Sequence, residues 1–419
     1  MIFERIEIKK GVFVSVVKTD KFKTGLLTVN LLTPLSEETA SLNSLLTDVL
    51  KRGTVSYPTM QSLNKKKDEL YALGLNAFVQ KRGEVQTVTA ELSAIEDKYT
   101  FDNSNLLEQS VKLLSEVLFS PVTKDNAFLP EYVEQEKKNL IDSINAQINN
   151  KTTYAINRCY ELMCEGEPFS VNAAGSVPIV KSITPTQLYT HYKKLLSSSV
   201  VEIFFVGNKD SAQIAELINK HLPFEDRTPP LLNTIVKTNA DEVRHYTDKM
   251  QISQCKLSIG MRIGTSLKSK NYIKFALFNE LFGGSTTSKL FVNVREKKSL
   301  CYYCRPIVEA IKGVMVIASG VDAKNKETAY EAILEQLEDI KNGVINEEEL
   351  HDAKCSLENA YREIADSPAS VCVWYLSRII SGRTDSPEEA AAVVNSITKQ
   401  DIIEMAKRMK LDTVYSLEG

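Results

Sequence analysis

The sequence predicts an α+β fold built twice, each copy a mainly antiparallel sheet with helices packed on one face. Three observations lead there. The 419 residues exceed what a single hydrophobic core usually fills. Strand-length apolar runs alternate with amphipathic helical stretches in both halves. A helix–strand unit recurs near the end of each half, in the same order and with similar spacing.

The elements follow in chain order. Met1–Lys10 alternates apolar and polar residues, as an edge strand does. Leu27–Leu32 and Glu84–Leu92 read as strands, with a helix over Thr59–Gly74 carrying Leu63, Leu70 and Leu73 between them. Asn105–Leu118 places Leu106, Leu107, Val111, Leu114 and Val117 at helical spacing. Ser182-Ile183-Thr184-Pro185 opens a helix over Gln187–Leu196, and the apolar run Val200–Val206 ends at Gly207. Leu222–Asp241, with Pro223, Pro229 and Pro230, reads as an extended linker, so the domains are drawn as 1–229 and 230–419. In the second half Val314–Val321 is strand-like, and Lys326–Lys341 aligns Ala329, Ile333, Leu334, Leu337 and Ile340 on one helix face. Ser396-Ile397-Thr398-Lys399, a helix over Asp401–Met409 and the strand Thr413–Leu417 repeat the unit that closed the first half.

Composition excludes several classes. Net charge is −3 with 51 basic and 54 acidic residues, which implies no basic face for nucleic acid. The apolar runs are too short for a membrane span, and the first residues lack the apolar core of a secretory signal. Seven cysteines, an odd number, are expected to be reduced thiols in a cytoplasmic protein. Cys301-Tyr302-Tyr303-Cys304 falls in a predicted strand, where residues three apart point to opposite faces, so neither a metal knuckle nor a redox pair is expected. His351 and Cys355, four apart in a helix beginning at Glu347, are expected to be a solvated His and a buried Cys. The other histidines, His191, His221 and His245, form no zinc motif. No Gly-x-Ser-x-Gly elbow is present, and Gly283-Gly284-Ser285 lacks the Gly-Lys-Ser/Thr ending of a phosphate loop.

Two segments resemble the insulinase/pitrilysin-type superfamily of zinc peptidases, in its processing-peptidase-like branch. The first is Ser44-Leu45-Leu46-Thr47-Asp48-Val49-Leu50-Lys51-Arg52-Gly53-Thr54, followed by Gly74-Leu75-Asn76-Ala77-Phe78. Active members carry His-x-x-Glu-His before the Lys/Arg-Gly-Thr element. The second runs from Phe278 through Gly283-Gly284-Ser285-Thr286-Thr287-Ser288 to Val294-Arg295-Glu296-Lys297-Lys298-Ser299-Leu300-Cys301-Tyr302, with the family's Arg and Tyr seven apart.

The resemblance implies a member that has lost its zinc site. Anchored on Arg52-Gly53-Thr54, the first His, the Glu and the second His become Ser44, Thr47 and Asp48. The third ligand, a Glu on a later helix, falls at Ser143 by alignment of Glu134–Ile141, with Asp142 adjacent. A Ser hydroxyl is a poor zinc ligand, and Thr is no general base near neutral pH. Arg295 and Tyr302 survive; in the family such a pair binds the substrate carbonyl and its oxyanion, with Tyr303 as the fallback if the register slips. Asn76, Ala77 and Phe78 begin the strand whose edge, in the family, pairs with extended substrate.

The expected function is therefore a non-catalytic, substrate-binding subunit of a two-subunit zinc endopeptidase. Zinc is expected only in a partner subunit, the partner being a zinc-bearing homologue or a second copy of this chain. The substrate would be a peptide or unfolded polypeptide. Two other readings remain open from sequence: an inactive peptide-binding scaffold, and an oxygen-ligand metal site at Asp48 and Asp142 better suited to Mg²⁺ or Ca²⁺.

Overall fold

The computed structural model describes residues 2–102 and 104–419. The chain forms two compact units. The first comprises Met1–Asn145, Val171–Asn233 and Ser367–Leu376; the second comprises Ala146–Ser170, Thr234–Asp366 and Ser377–Gly419.

In the first unit, β1 (Ile2–Lys9), β2 (Val12–Lys18) and β3 (Thr24–Pro34) precede helices α1 (Glu37–Leu50) and α2 (Met60–Glu69). The chain then makes β4 (Gly74–Arg82), β5 (Val85–Ile95), α3 (Leu106–Phe119), the small hairpin β6 (Thr123–Lys124) and β7 (Ala127–Phe128), and α4 (Pro130–Ala146). After α5 (Lys151–Met163), which packs in the second unit, the first unit is completed by α6 (Val177–Ser182), α7 (Pro185–Ser198), β8 (Val200–Gly207) and α8 (Ser211–His221). Its sheet runs β1-β2-β8-β3-β5-β4. All neighbours are antiparallel except β2 and β8. The alternating N-terminal residues form an edge strand, as their pattern predicts.

The second unit contains β9 (Arg244–Lys249), β10 (Cys255–Arg262), α9 (Tyr272–Asn279), β11 (Cys301–Glu309), β12 (Val314–Val321), α10 (Lys326–Lys341) and α11 (Glu347–Glu363). Helix α12 (Pro368–Ile380) contributes its residues up to Leu376 to the first unit; α13 (Pro387–Val394), α14 (Lys399–Arg408) and β13 (Lys410–Glu418) close the chain. The sheet runs β11-β12-β10-β13-β9, with only β13 and β9 parallel. Strands β8, β3, β5 and β4 thus recur as β13, β10, β12 and β11, in the same order and orientation. The repeated helix–strand unit of the sequence is α7–β8 and α14–β13. Thr184 with Gln187 and Thr398 with Asp401 make matching capping boxes at the two helix starts.

Each half lends one helix to the sheet of the other unit. Helix α5 lies on β10, β12 and β13, burying Ala155, Cys159 and Met163 against Val314, Val316, Tyr415 and Leu417. Tyr375 of α12 stacks on Phe3, centroids 3.9 Å apart, within the first unit. Segments 146–170 and 367–376 therefore cross any linear division of the chain. Residues 222–243 carry no helix or strand. Arg227 within them is buried and donates from Nη1 to the Leu196 carbonyl at 2.7 Å, which ties the start of this stretch to the first unit.

A buried ionic cluster holds α5 and the following turn to the second sheet. Arg262 donates to Asp412 (2.8 Å), to Glu167 (2.9 Å) and to the Met163 carbonyl (2.6 Å). Lys312, fully buried, reaches Glu167 at 2.5 Å and the Ile235 carbonyl at 2.6 Å. Buried charges persist only when paired and hydrogen-bonded in this way. Among the described residues no helix is long and apolar enough to cross a membrane.

Candidate functional site

Helix α1 starts at Ser36, whose hydroxyl accepts from the Thr39 amide, with Glu37 and Glu38 in the first turn. Its apolar face, Leu45, Leu46, Val49 and Leu50, enters the core of the first unit. Ser44 and Thr47 are buried on the same helix, 6% and 3% exposed. Thr47 Oγ1 donates to the Ser44 carbonyl at 2.8 Å, so its proton is spent on the helix's own backbone. Its surroundings are apolar: Thr47 lines a small cavity with Leu31, Leu50, Ala77 and Val88. Asp48 pairs with Lys51 at 3.0 Å. Ser143 and Asp142 sit on the exposed side of α4. Among the described residues no hydrogen bond or ion pair connects Ser44, Thr47 or Asp48 to Asp142 or Ser143.

The Lys51-Arg52-Gly53-Thr54 element serves packing. Arg52 donates to buried Glu136 at 3.0 Å and lies over the Tyr132 ring, 4.8 Å from its centroid. Thr54 donates to Glu116 at 3.0 Å. Gly53 passes so close to Pro58 that a Cβ would sit 2.6 Å from the Pro58 carbonyl oxygen. Only glycine fits there.

Zinc does not fit the residues at these positions. They offer two hydroxyls, one already donating to backbone, and a carboxylate held by a lysine, in place of two imidazoles and a base. Two of the four histidines, His191 and His221, are engaged elsewhere. His191 Nε2 meets Asn43 Oδ1 at 2.6 Å, and Asn43 donates to Gln86 at 2.7 Å. Burial, with Lys194 adding to it, pushes the His191 ring down to about 4 and keeps it neutral. Sequence reasoning missed this Asn43–Gln86–His191 network, since no local spacing signals it. His221 meets Glu108 at 2.8 Å. His351 and Cys355 are both exposed, with Nε2 and Sγ 3.6 Å apart, so the expected burial of Cys355 is corrected: it lies on the solvent side of α11. Among the described residues no three His, Cys, Asp or Glu side chains cluster as a metal site. Purified chain incubated with zinc and desalted is expected to hold far less than one zinc per molecule by elemental analysis; one per molecule would refute this account of the positions.

Arg295 and Tyr302 flank a backbone irregularity in the second unit. Residues Leu290–Lys297 are wound as a π-helix, and Lys298 closes it by donating to the Asn293 carbonyl. Ser299 follows with φ of +51°, and β11 then begins. Upstream, Gly283 packs on β11 where a Cβ would lie 2.5 Å from Pro306 Cδ, which explains the glycine in that turn. Pairing of β11 with β12 slips between Cys301 and Tyr303, leaving Tyr302 as the extra residue of a β-bulge. Tyr302 is 63% exposed, and its hydroxyl reaches Asp322 at a long 3.5 Å. The Arg295 guanidinium lies over Phe291, 4.5 Å from the ring centroid, and 3.6 Å from Glu296. Both donors are lightly tethered, and among the described residues no hydrogen bond or ion pair links one to the other. Tyr303 points elsewhere: its hydroxyl meets Thr152 at 3.1 Å.

Asn76, Ala77 and Phe78 lie near the start of β4, an edge strand. Asn76 is exposed, Ala77 buried and Phe78 between the two. The Ala77 amide donates to Asn76 Oδ1 at 2.9 Å, so one edge amide is already occupied by its neighbour's side chain.

Comparison with known proteins agrees with this picture. Residues 182–357 match the family model described as Peptidase M16 inactive domain. A Bacillus subtilis (strain 168) protein named probable inactive metalloprotease YmfF is 35% identical over 98% of this chain and 96% of its own length. The crystal structure of a conserved protein from Enterococcus faecalis V583 superposes with a TM-score of 0.90 at 29% identity, covering 100% of this chain and 98% of that one. That of a peptidase M16 inactive domain from Pseudomonas fluorescens gives 0.80 at 16% identity, covering 100% and 98%, a likeness of fold. With the zinc ligands replaced and full-length similarity to a relative named a probable inactive metalloprotease, the chain belongs to the M16 peptidase family and groups with its inactive members.

Proposed function

We propose that this chain is the substrate-gripping, non-catalytic subunit of a two-subunit zinc endopeptidase. It would supply Arg295 and Tyr302 to the zinc site of a homologous partner. The observation that carries this reading is the contrast between the two signatures. At the zinc positions the hydroxyl of Thr47 is tied to backbone and Asp48 to Lys51, whereas the Arg295 guanidinium and Tyr302 hydroxyl stand at the surface with weak tethers. A guanidinium and a phenol are suitable donors for a carbonyl oxygen and the oxyanion formed from it. The substrate would be an extended peptide or unfolded segment laid along an edge such as β4, where Asn76 would have to release the Ala77 amide for strand addition. Mixed with the zinc-bearing M16 homologue from the same organism, the chain is expected to co-elute with it in a fixed ratio on size exclusion. Separate elution at micromolar concentration, together with unchanged partner activity, would sink the proposal.

A further inference from the structure

We propose that Cys301 and Cys304 form a thiol–disulfide exchange site, in which Cys301 attacks a low-molecular-weight disulfide and Cys304 resolves the adduct. In a regular strand residues three apart face opposite ways, which is why the sequence reading gave this pair no role. The bulge overturns that reading. Cys301 opposes Val321, Tyr303 opposes Gly320, and Cys304 opposes Ser319. Val321 and Ser319 share one face of β12, so the extra residue at Tyr302 brings both cysteines to that face. The electrostatics agree with that placement: the strongest influence on each thiol is the other, and Ser319 acts on both.

The two sulfurs are not equivalent. The neighbouring Cys304 side chain draws the Cys301 thiol down to about 7 against the opposing effect of burial, with Ser319 and Arg295 adding to the shift. Cys304 moves the opposite way, well above the ordinary thiol range, because Cys301 lies beside it and it is buried. An attacking thiol with a value near ambient pH, beside a protonated resolving thiol, is the arrangement exchange requires. Burial raises Cys159, Cys164, Cys255 and Cys372. Cys301 is 9% exposed and Cys304 5%, on a strand whose outer edge pairs with no other among the described residues.

The chemistry balances with the disulfide as oxidant. The Cys301 thiolate attacks one sulfur of R–S–S–R, forming a protein–S–S–R bond and expelling RS⁻, which takes up a proton. Cys304 then loses its proton, attacks the Cys301 sulfur and expels the second RS⁻. Two protein thiols are oxidised, and one small disulfide is reduced to two thiols. This proposal does not rest on the proposed partner, and its test needs no peptidase activity.

The reduced full-length chain is incubated with oxidised glutathione, quenched in acid, alkylated and mapped by peptide mass spectrometry. The peptide holding Cys301 and Cys304 is expected to lose two hydrogens and carry no adduct. In Cys304→Ser glutathione should remain on Cys301; in Cys301→Ser, Cys304 should stay reduced. The rate should fall as pH drops below about 7, where Cys301 is protonated. Exposed Cys355 is the internal reference. A wild-type chain that accumulates glutathione on Cys355 while Cys301 and Cys304 stay reduced would overturn the proposal, and so would a stable adduct on Cys301 that never resolves.

Discussion

Replacing Arg262 with alanine is expected to destabilise the second unit by about 3–5 kcal/mol, the usual cost of removing one partner from a buried ion pair. Its side chain is only 4% exposed and donates to two carboxylates, Asp412 and Glu167, and to the Met163 carbonyl. Truncation leaves those acceptors buried with less positive charge, and leaves Arg244 as the side-chain donor to the Met163 carbonyl at the end of α5. Lys312 and Arg244 remain beside the cluster and keep the loss finite. Urea unfolding followed by circular dichroism would read the change as a lower midpoint. Because the chain forms two units, the transition assigned to the second should move and the other should not.

Acid should narrow the gap between wild type and this variant. Burial alone would raise the Glu167 carboxyl, but hydrogen bonds from Lys312 and Arg262 outweigh it and hold the value below the usual one. A depressed carboxyl contributes stability that is present above its unfolded value and lost as pH falls through its folded one. The difference in midpoint should therefore be full at neutral pH and shrink below about pH 4, where the unfolded chain begins to take up the proton. A gap that widens in acid would mean that the Glu167 carboxylate does not contribute in this way.

The second large effect concerns catalysis in the proposed complex. Arg295→Ala and Tyr302→Phe are each expected to lower kcat of the mixed enzyme by about 10²-fold or more, the scale seen when a single oxyanion donor is removed. KM should change far less, because the lost interaction forms mainly as charge develops on the carbonyl oxygen. Folding should hardly respond. Among the described residues Arg295 makes one ion pair, with Glu296, and lies over the Phe291 ring, and Tyr302 makes one long hydrogen bond, so stability should stay within about 0.5 kcal/mol of wild type. Equal kcat in wild type and both variants, with assembly intact, would assign the pair no part in turnover.

Much of the fold was legible because periodicity reports burial directly. Helix α10 occupies the residues its apolar stripe predicts, Lys326–Lys341, and β12 matches Val314–Val321. Asn105 caps α3 with its own side chain, as a residue placed just before an apolar run should. The expected helix over Thr59–Gly74 begins at its Thr59 cap but ends at Glu69, since Tyr71 and Ala72 take positive φ and turn the chain into β4. Leu70 and Leu73 stay buried after the helix ends, so their apolar spacing survived while their conformation did not.

The remainder depended on contacts or irregularities without a local pattern. Nothing in residues 146–170 or 367–376 announces which sheet they will cover; that is decided by partners far away in sequence. The π-wound segment Leu290–Lys297 looks like an ordinary short helix in sequence, and the bulge at Tyr302 has no spelling of its own. That one extra residue puts Cys301 and Cys304 on one face, where a regular strand would part them. At the zinc positions the sequence was informative through chemistry alone, because Ser44, Thr47 and Asp48 cannot do what two histidines and a glutamate do, whatever their geometry.

The central claim is that this chain contributes to proteolysis without a metal centre of its own, and turnover tests it most directly. Peptide hydrolysis would be measured for this chain, for the zinc-bearing homologue and for the two together, at equal protomer concentration and with a mixed fluorogenic peptide pool. The account predicts little or no hydrolysis by this chain, and hydrolysis by the mixture well above the sum of the separate rates. Chelator-sensitive hydrolysis by this chain alone, or a mixture no faster than the homologue by itself, would contradict it.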